Sequence, residues 1–161
     1  MSESDKKVFS LVYIFDDKRQ VLLGLKKRGL GKGLWNGFGG KLFDNEDIEH
    51  CAVREVHEEC GLNIDLKDLI KVAEITFRFK DSTKVFEQHV FQTFKFSGKL
   101  IESEEMSPKW FEVKELPYNQ MWLDQEFWHH LMFKNYKFKS SFLLDGFEKV
   151  LRYEITLVDE L

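Results

Sequence analysis

Proline and cysteine are scarce in this chain, and long apolar runs are missing. Pro108 and Pro117 are the only prolines in 161 residues, and neither marks a linker or a domain boundary. The two cysteines, Cys51 and Cys60, form no C-x2-C pair, which argues against a disulfide-stapled scaffold or a cysteine metal site. On a helix they would face opposite sides and could not pair with each other. A reducing, cytoplasmic compartment is therefore expected. No stretch reaches the roughly 18 apolar residues of a membrane span, so no membrane partner is expected. The opening MSESDKKVFS has no apolar run of signal-peptide length. A basic excess is also absent. Against 28 acidic residues stand 24 Lys and Arg, giving a net charge of −4 and a pI near 5.8. An extended duplex nucleic-acid partner is disfavoured by that balance.

With 43% apolar and 32% charged residues, the chain has the make-up of one globular domain over 1–161, with enough length for a real core. Its organising stretch is Gly40 to Leu62, GKLFDNEDIEHCAVREVHEECGL. A glycine loop leads past Glu46 into a segment of helical periodicity that ends at Cys60-Gly61. Glu55, Glu58 and Glu59 stand at i, i+3 and i+4, so a helix gathers them on one face. That acidic stripe borders the apolar stripe of Ile48, Ala52, Val53, Val56 and Cys60. Three glutamates on a helix, taken alone, are most often a solvated face. Three that repel one another beside a buried edge also suit a hard divalent cation with oxygen ligands, magnesium or manganese.

The whole stretch fits G-x5-E-x7-R-E-U-x-E-E-x-G-U, where U is apolar, through Gly40, Glu46, Arg54, Glu55, Val56, Glu58, Glu59, Gly61 and Leu62. Such a match arises by chance on the order of once in 10⁹ windows. It resembles the signature box of the Nudix hydrolases. That resemblance implies a magnesium-dependent (or manganese-dependent) hydrolase of a nucleoside diphosphate linked to another moiety. It also implies an α/β fold, the Nudix α/β/α sandwich with a mixed β-sheet between two helices and a C-terminal β-hairpin.

Around the box the chain reads as alternating elements. Val8 to Phe15 and Val21 to Lys27 read as strands joined by the turn Asp16–Arg19. Lys26, Lys27 and Arg28 are either a solvated strand end or point charges for a phosphate. Gly29 to Gly40 holds six glycines in twelve residues. Trp35 and Phe38 within it should pack, and Asn36 either serves its own turn or reads a base edge. Leu69 to Phe79 reads as a strand with Ala73, Ile75, Phe77 and Phe79 on one face, as core or as a pocket wall. Lys84 to Phe96 reads as another, with Phe86, Val90, Phe94 and Phe96 sharing a face. The acidic group Glu102, Glu104, Glu105 lies in the following loop, and Lys109 to Val113 reads as a short strand. Asp124 is suited to cap a helix running from Gln125 to about Lys134. Alternatively Trp122, Asp124, Gln125 and Trp128 stack on and read a planar base. His129 and His130 read as surface residues. Tyr136 to Leu144 and Lys149 to Val158, around Asp145-Gly146, read as a hairpin burying Phe138, Phe142, Ile155 and Leu157.

Beyond the box, Val21 to Lys41, Glu105-Met106 and Met121 to Trp128 are similar to the oxidised-purine triphosphatase branch of the family, over nearly the full length. That likeness implies a role for each matching residue. The Gly39 carbonyl, Glu55, Glu58, Glu59 and Glu105 would bind the metal. Arg54 would orient the helix carboxylates. Ser10, Lys26, Asn36, Phe38, Gly39, Gly40 and Lys41 would line the nucleotide site. Trp122 would stack on the base, with Phe77, Phe79, Leu123, Asp124, Gln125 and Trp128 around it. Glu59, then Glu105, would hold the attacking water. Gln125 stands where the likeness leads one to expect a second aspartate, and Leu30 replaces an aromatic. The implied reaction turns an oxidised purine triphosphate such as 8-oxo-dGTP or 2-hydroxy-dATP into monophosphate and pyrophosphate. A monomer with a small-molecule nucleotide substrate is expected. Another Nudix substrate, such as a dinucleoside polyphosphate, or a non-catalytic nucleotide-binding regulator are the competing readings. The intact acidic stripe argues against the regulator.

Overall fold

A computed structural model describes residues 5–161. Strands β1 (Lys6–Phe15), β2 (Val21–Lys26) and β3 (Trp35–Asn36) precede helix α1 (Ile48–Cys60). After it come β4 (Ile70–Phe79), β5 (Val85–Thr93), β6 (Met106–Phe111), α2 (Gln125–Phe133), β7 (Lys137–Asp145) and β8 (Lys149–Val158). They build one mixed sheet in the order β3-β2-β1-β5-β4-β7-β8, with β6 paired to β2. β1 runs parallel to β5 and β4 parallel to β7, while the remaining pairs are antiparallel.

The pleat of β1 divides the core. Leu11, Tyr13 and Phe15 enter one apolar cluster with Trp128 and Met132 of α2. Val12 and Ile14, alternating with them, enter a second cluster with Ala52, Val56 and Cys60 of α1. A sheet buried on both faces between two helices is the α/β/α sandwich the resemblance implied. α1 starts and stops as its sequence demands. The Asp47 carboxylate accepts the His50 N–H at 2.9 Å, and Gly61, at φ +81°, closes the last turn.

Several expectations need correction. β5 stops at Thr93 because that hydroxyl donates to the Lys95 carbonyl at 3.0 Å, turning the chain out of the ladder. Phe94 and Phe96 are consequently exposed, and Phe94 stacks on Phe15. β6 begins at Met106, ahead of Pro108, and ends at Phe111. The proline is tolerated because β6 is an edge strand paired along β2, opposite Gly24. Leu157, near the end of edge strand β8, is also exposed, whereas Phe138, Phe142 and Ile155 pack inward. Asp124 does not cap α2 through its side chain: it already has helical dihedrals, and its carboxylate is turned into the core. His129 is buried on the inner face of α2, not on the surface. No helix among the described residues is long and apolar enough to cross a membrane.

Candidate active site

Two neighbouring regions carry the candidate chemistry. The first lies where the glycine loop crosses β1 and meets α1. Phe38 and Gly40 pair with β1: Ser10 N–H donates to the Gly40 carbonyl at 2.9 Å and Phe38 N–H to the Val12 carbonyl at 3.0 Å. Alternation then turns Gly39 away from β1, and its N–H donates to Glu59 Oε1 at 2.8 Å. A side chain would not fit here. A Cβ on Gly39 would overlap the Ser10 carbonyl, and one on Gly40 would overlap the Glu55 carboxyl.

Arg54 organises the carboxylates around it. It grips Glu46 with two parallel hydrogen bonds (2.7 and 3.0 Å), reaches Glu55 at 2.8 Å and Glu58 at 3.2 Å, and lies over the Phe43 ring. The Arg54 fork holds Glu46 below the usual carboxylate range. Glu55 is pushed up by burial despite the same arginine. Glu59, only 4% exposed, is pushed up to about 8. Burial is the main cause, the Gly39 N–H opposes it, and Glu55 and Glu105 add repulsion. Glu105, from the loop before β6, faces this group but is held by Lys26 at 3.1 Å and Arg28 at 2.6 Å, which keep it readily ionised.

Among the described residues no three His, Cys, Asp or Glu side chains converge on one point. Each carboxylate is instead turned to an internal partner: Glu55 and Glu58 to Arg54, Glu59 to Gly39, Glu105 to Lys26 and Arg28. The donor set nonetheless fits a hard divalent cation. It is all oxygen, and it includes a nearly buried carboxylate whose charge nothing inside the protein neutralises fully.

The second region is a cavity of about 270 Å³ adjoining the first. Its lining brings together Ser10, Lys26, Asn36, Gly39, Gly40, Glu59, Phe77, Phe79, Trp122, Asp124 and Gln125. Leu30 lies at its rim, 68% exposed. Four residues expected around the nucleotide are not on its wall. Phe38 is fully buried in the α1-side core, where its ring occupies the space left by Gly24. Trp128 is fully buried under the cavity floor, and its indole N–H donates to Asp124 Oδ2 at 2.7 Å. Lys41 is exposed, with its carbonyl accepting from Arg54 at 3.2 Å, and Leu123 is half-buried outside the lining. Asp124 is pushed up to about 6 by burial, against the pull of the Trp128 N–H. Gln125 Nε2 donates to Asn36 Oδ1 at 2.7 Å.

Other members of the lining were not foreseen. Phe9, Phe86, Gln88, Met106 and Leu144 complete the walls. Phe147, at the tip of the β7–β8 hairpin, packs on Trp122 with ring centroids 4.8 Å apart. The pairing of β1 with β5 and of β4 with β7 brings these residues together, and no local pattern announces it.

An acidic stripe along α1 beside a ligand-sized cavity, on an α/β/α sandwich, suits a hydrolase of phosphoanhydrides, and residues 6–131 match the NUDIX domain. The chain belongs to the Nudix family, whose enzymes generally need a divalent metal, typically magnesium. It is 40% identical over 156 residues to the oxidized purine nucleoside triphosphate hydrolase of Mus musculus, covering 97% of this chain and 98% of that one. Its likeness to the Danio rerio protein of the same name is 39% over 155 residues, 96% of this chain and 97% of the other. The fold is shared with the MutT protein of Bacillus halodurans at a TM-score of 0.81 and 21% identity, covering 92% and 97% of the two chains.

Proposed function

We propose that this chain, acting as a single domain, hydrolyses oxidised purine nucleoside triphosphates to the monophosphate and pyrophosphate, and so clears damaged nucleotides from the precursor pool. The observation that carries this reading is the union of two features in one site. A half-open aromatic cavity with amide and carboxyl groups adjoins a set of carboxylates and cations suited to a polyphosphate. The names of the mouse and zebrafish relatives support the same substrate class. A volume of about 270 Å³, just below the usual range of ligand cavities, favours one nucleoside over a dinucleoside polyphosphate.

In this reading Trp122 stacks on the base between the walls of Phe77 and Phe79, while Asn36, Asp124 and Gln125 contact its edge. Ser10, Lys26, Gly39 and Gly40 lie along the path to the phosphates. Glu55, Glu58, Glu59, Glu105 and the Gly39 carbonyl would hold magnesium. The cation, when bound, neutralises polyphosphate charge and acidifies a bound water. Glu59, fixed by the Gly39 N–H, positions the attacking water, and Arg54 keeps Glu55 and Glu58 aligned. Lys26, released from Glu105, is free to meet a phosphate oxygen. Pyrophosphate release is the test, with magnesium and a panel of 8-oxo-dGTP, 2-hydroxy-dATP and undamaged dNTPs. Turnover should favour an oxidised purine at least tenfold in kcat/KM. Equal turnover of all dNTPs, or none of any, overturns the proposal.

A further inference from the structure

Behind the cavity lies a buried polar chain that the proposed chemistry does not use. His129 is 1% exposed and is pushed down to about 3 by burial, so its ring is neutral, with one N–H donor and one acceptor nitrogen. Its Nε2 lies 3.0 Å from the Tyr13 hydroxyl and its Nδ1 3.0 Å from the Tyr118 hydroxyl. Tyr13, itself fully buried, points its hydroxyl at Asn36 Oδ1, 3.4 Å away. The Gly37 N–H and Gln125 Nε2 donate to that same oxygen at 2.8 and 2.7 Å.

One direction of donation links all four side chains into a single chain ending on Asn36. Asn36 Oδ1 can only accept, so Tyr13 O–H donates to it. His129 Nε2–H then donates to the Tyr13 oxygen, which leaves Nδ1 to accept from Tyr118 O–H. With its oxygen committed to the interior, the Asn36 amide can present only its NH₂ to the cavity that it lines. Gln125 spends its Nε2 on Asn36, and its Oε1 stays buried without a partner among the described residues. A buried acceptor left unpaired is unfavourable, and a ligand N–H would satisfy it. Three polar side chains also occupy positions where apolar ones of similar size would avoid desolvation.

We propose that Tyr118, His129 and Tyr13 form a positioning chain that locks the Asn36 and Gln125 amides as a fixed donor beside a fixed acceptor, so that the site selects bases whose edge carries an acceptor next to an N–H donor. This rests on the base-binding reading of the cavity. Neither tyrosine hydroxyl nor the histidine touches the base; they act through Asn36.

Two measurements test it. In the free protein, imidazole ¹⁵N spectra should show His129 as the Nε2–H tautomer, and Tyr13→Phe should shift the side-chain amide signals of Asn36 and Gln125. Kinetically, Tyr13→Phe should raise KM for the preferred purine triphosphate about three- to tenfold and leave kcat within about twofold. In an Asn36→Ala background the same change should have no further effect. An Nδ1–H tautomer, unmoved amide signals, or additive effects of the two substitutions would each overturn the chain. A wild-type protein that cleaves no purine triphosphate refutes the enzymatic reading instead, and the spectra then decide the positioning chain alone. His129→Phe, which keeps the ring volume, should reproduce the kinetic effect; an unchanged KM there also refutes it.

Discussion

Replacing Asp124 by asparagine separates its buried carboxyl from its shape. Asparagine keeps the oxygen that accepts the Trp128 indole N–H but cannot ionise. In the folded protein the carboxyl is pushed up to about 6, from an ordinary value of 3.8, because it is buried. The native state therefore holds the proton more tightly than the unfolded chain. Its contribution to stability is whole below pH 3.8 and is lost as pH rises through 6. Integrated over that interval, the loss is about 3 kcal/mol, of which about 2 kcal/mol falls between pH 4.5 and 7. Urea unfolding of both proteins at the two pH values, with divalent ions chelated, reads the difference directly. Asp124→Asn should gain about 2 kcal/mol on wild type as pH goes from 4.5 to 7. A difference that stays constant within about 0.5 kcal/mol would mean that the carboxyl is solvated, and the placement against Trp128 would be wrong. The same proton has a kinetic signature. Below pH 6 Asp124 can donate to a base and above it only accept, so KM for a purine triphosphate should change near pH 6 in wild type and not in Asp124→Asn.

Other expectations concern the acidic region. Glu59→Gln should lower turnover by about 10²-fold or more while nucleotide affinity stays within a few-fold; near wild-type turnover would remove Glu59 from the mechanism. Arg54→Lys loses the two-pronged grip on Glu46 and leaves Glu55 with a weaker partner, so thermal or urea unfolding should register a loss of about 2–4 kcal/mol. An unchanged unfolding midpoint would show that these pairs are merely superficial. In Gly39→Ala the new methyl collides with backbone of β1, so soluble yield or stability should fall by at least about 3 kcal/mol, and wild-type stability would refute the close approach.

The elements that were legible in the sequence are those with local causes. α1 announces itself through the apolar stripe and Gly61, β4 through its alternation, β1 and β2 as β-rich runs about a polar turn, and β7 through the turn at Asp145-Gly146. The acidic stripe was legible because four residues of helix fix the positions of Glu55, Glu58 and Glu59. What stayed hidden depends on contacts distant in sequence. Thr93 ending β5, Pro108 sitting inside β6, and Asp124 preferring an indole to a helix end each reflect a side chain choosing a partner that periodicity does not reveal. His129 looked like a surface residue because His129-His130 is polar in isolation. Its burial follows from α2 packing its Trp128–Met132 face onto Tyr13 of β1, more than 100 residues earlier. The family resemblance placed Phe38 and Trp128 at the cavity, yet large aromatics in a sandwich this thin serve the core first, as the glycine loop's own pattern already suggested for Phe38.

The two halves of the site are held by opposite physical means, and that difference bears on selectivity. Around the proposed phosphate path each carboxylate has an internal partner, though Glu59 has only a neutral one: Arg28 and Lys26 on Glu105, Arg54 on Glu55 and Glu58, the Gly39 N–H on Glu59. The pairs carrying Glu105 and Glu58 are open to solvent on at least one side, so a cation and a polyphosphate can exchange them at modest cost. Around the base the contacts are neutral, buried and directional, running from Tyr13 and His129 to Asn36 and Gln125, and they do not rearrange without leaving a donor or acceptor stranded. On the proposed function, a site built this way would grip any triphosphate through its adaptable half and discriminate through its rigid half. Discrimination should therefore be insensitive to ionic strength, while affinity for the phosphates should weaken as salt screens the exposed charges. A base preference that collapsed with added salt, in step with overall affinity, would mean that selection comes from the charged half instead.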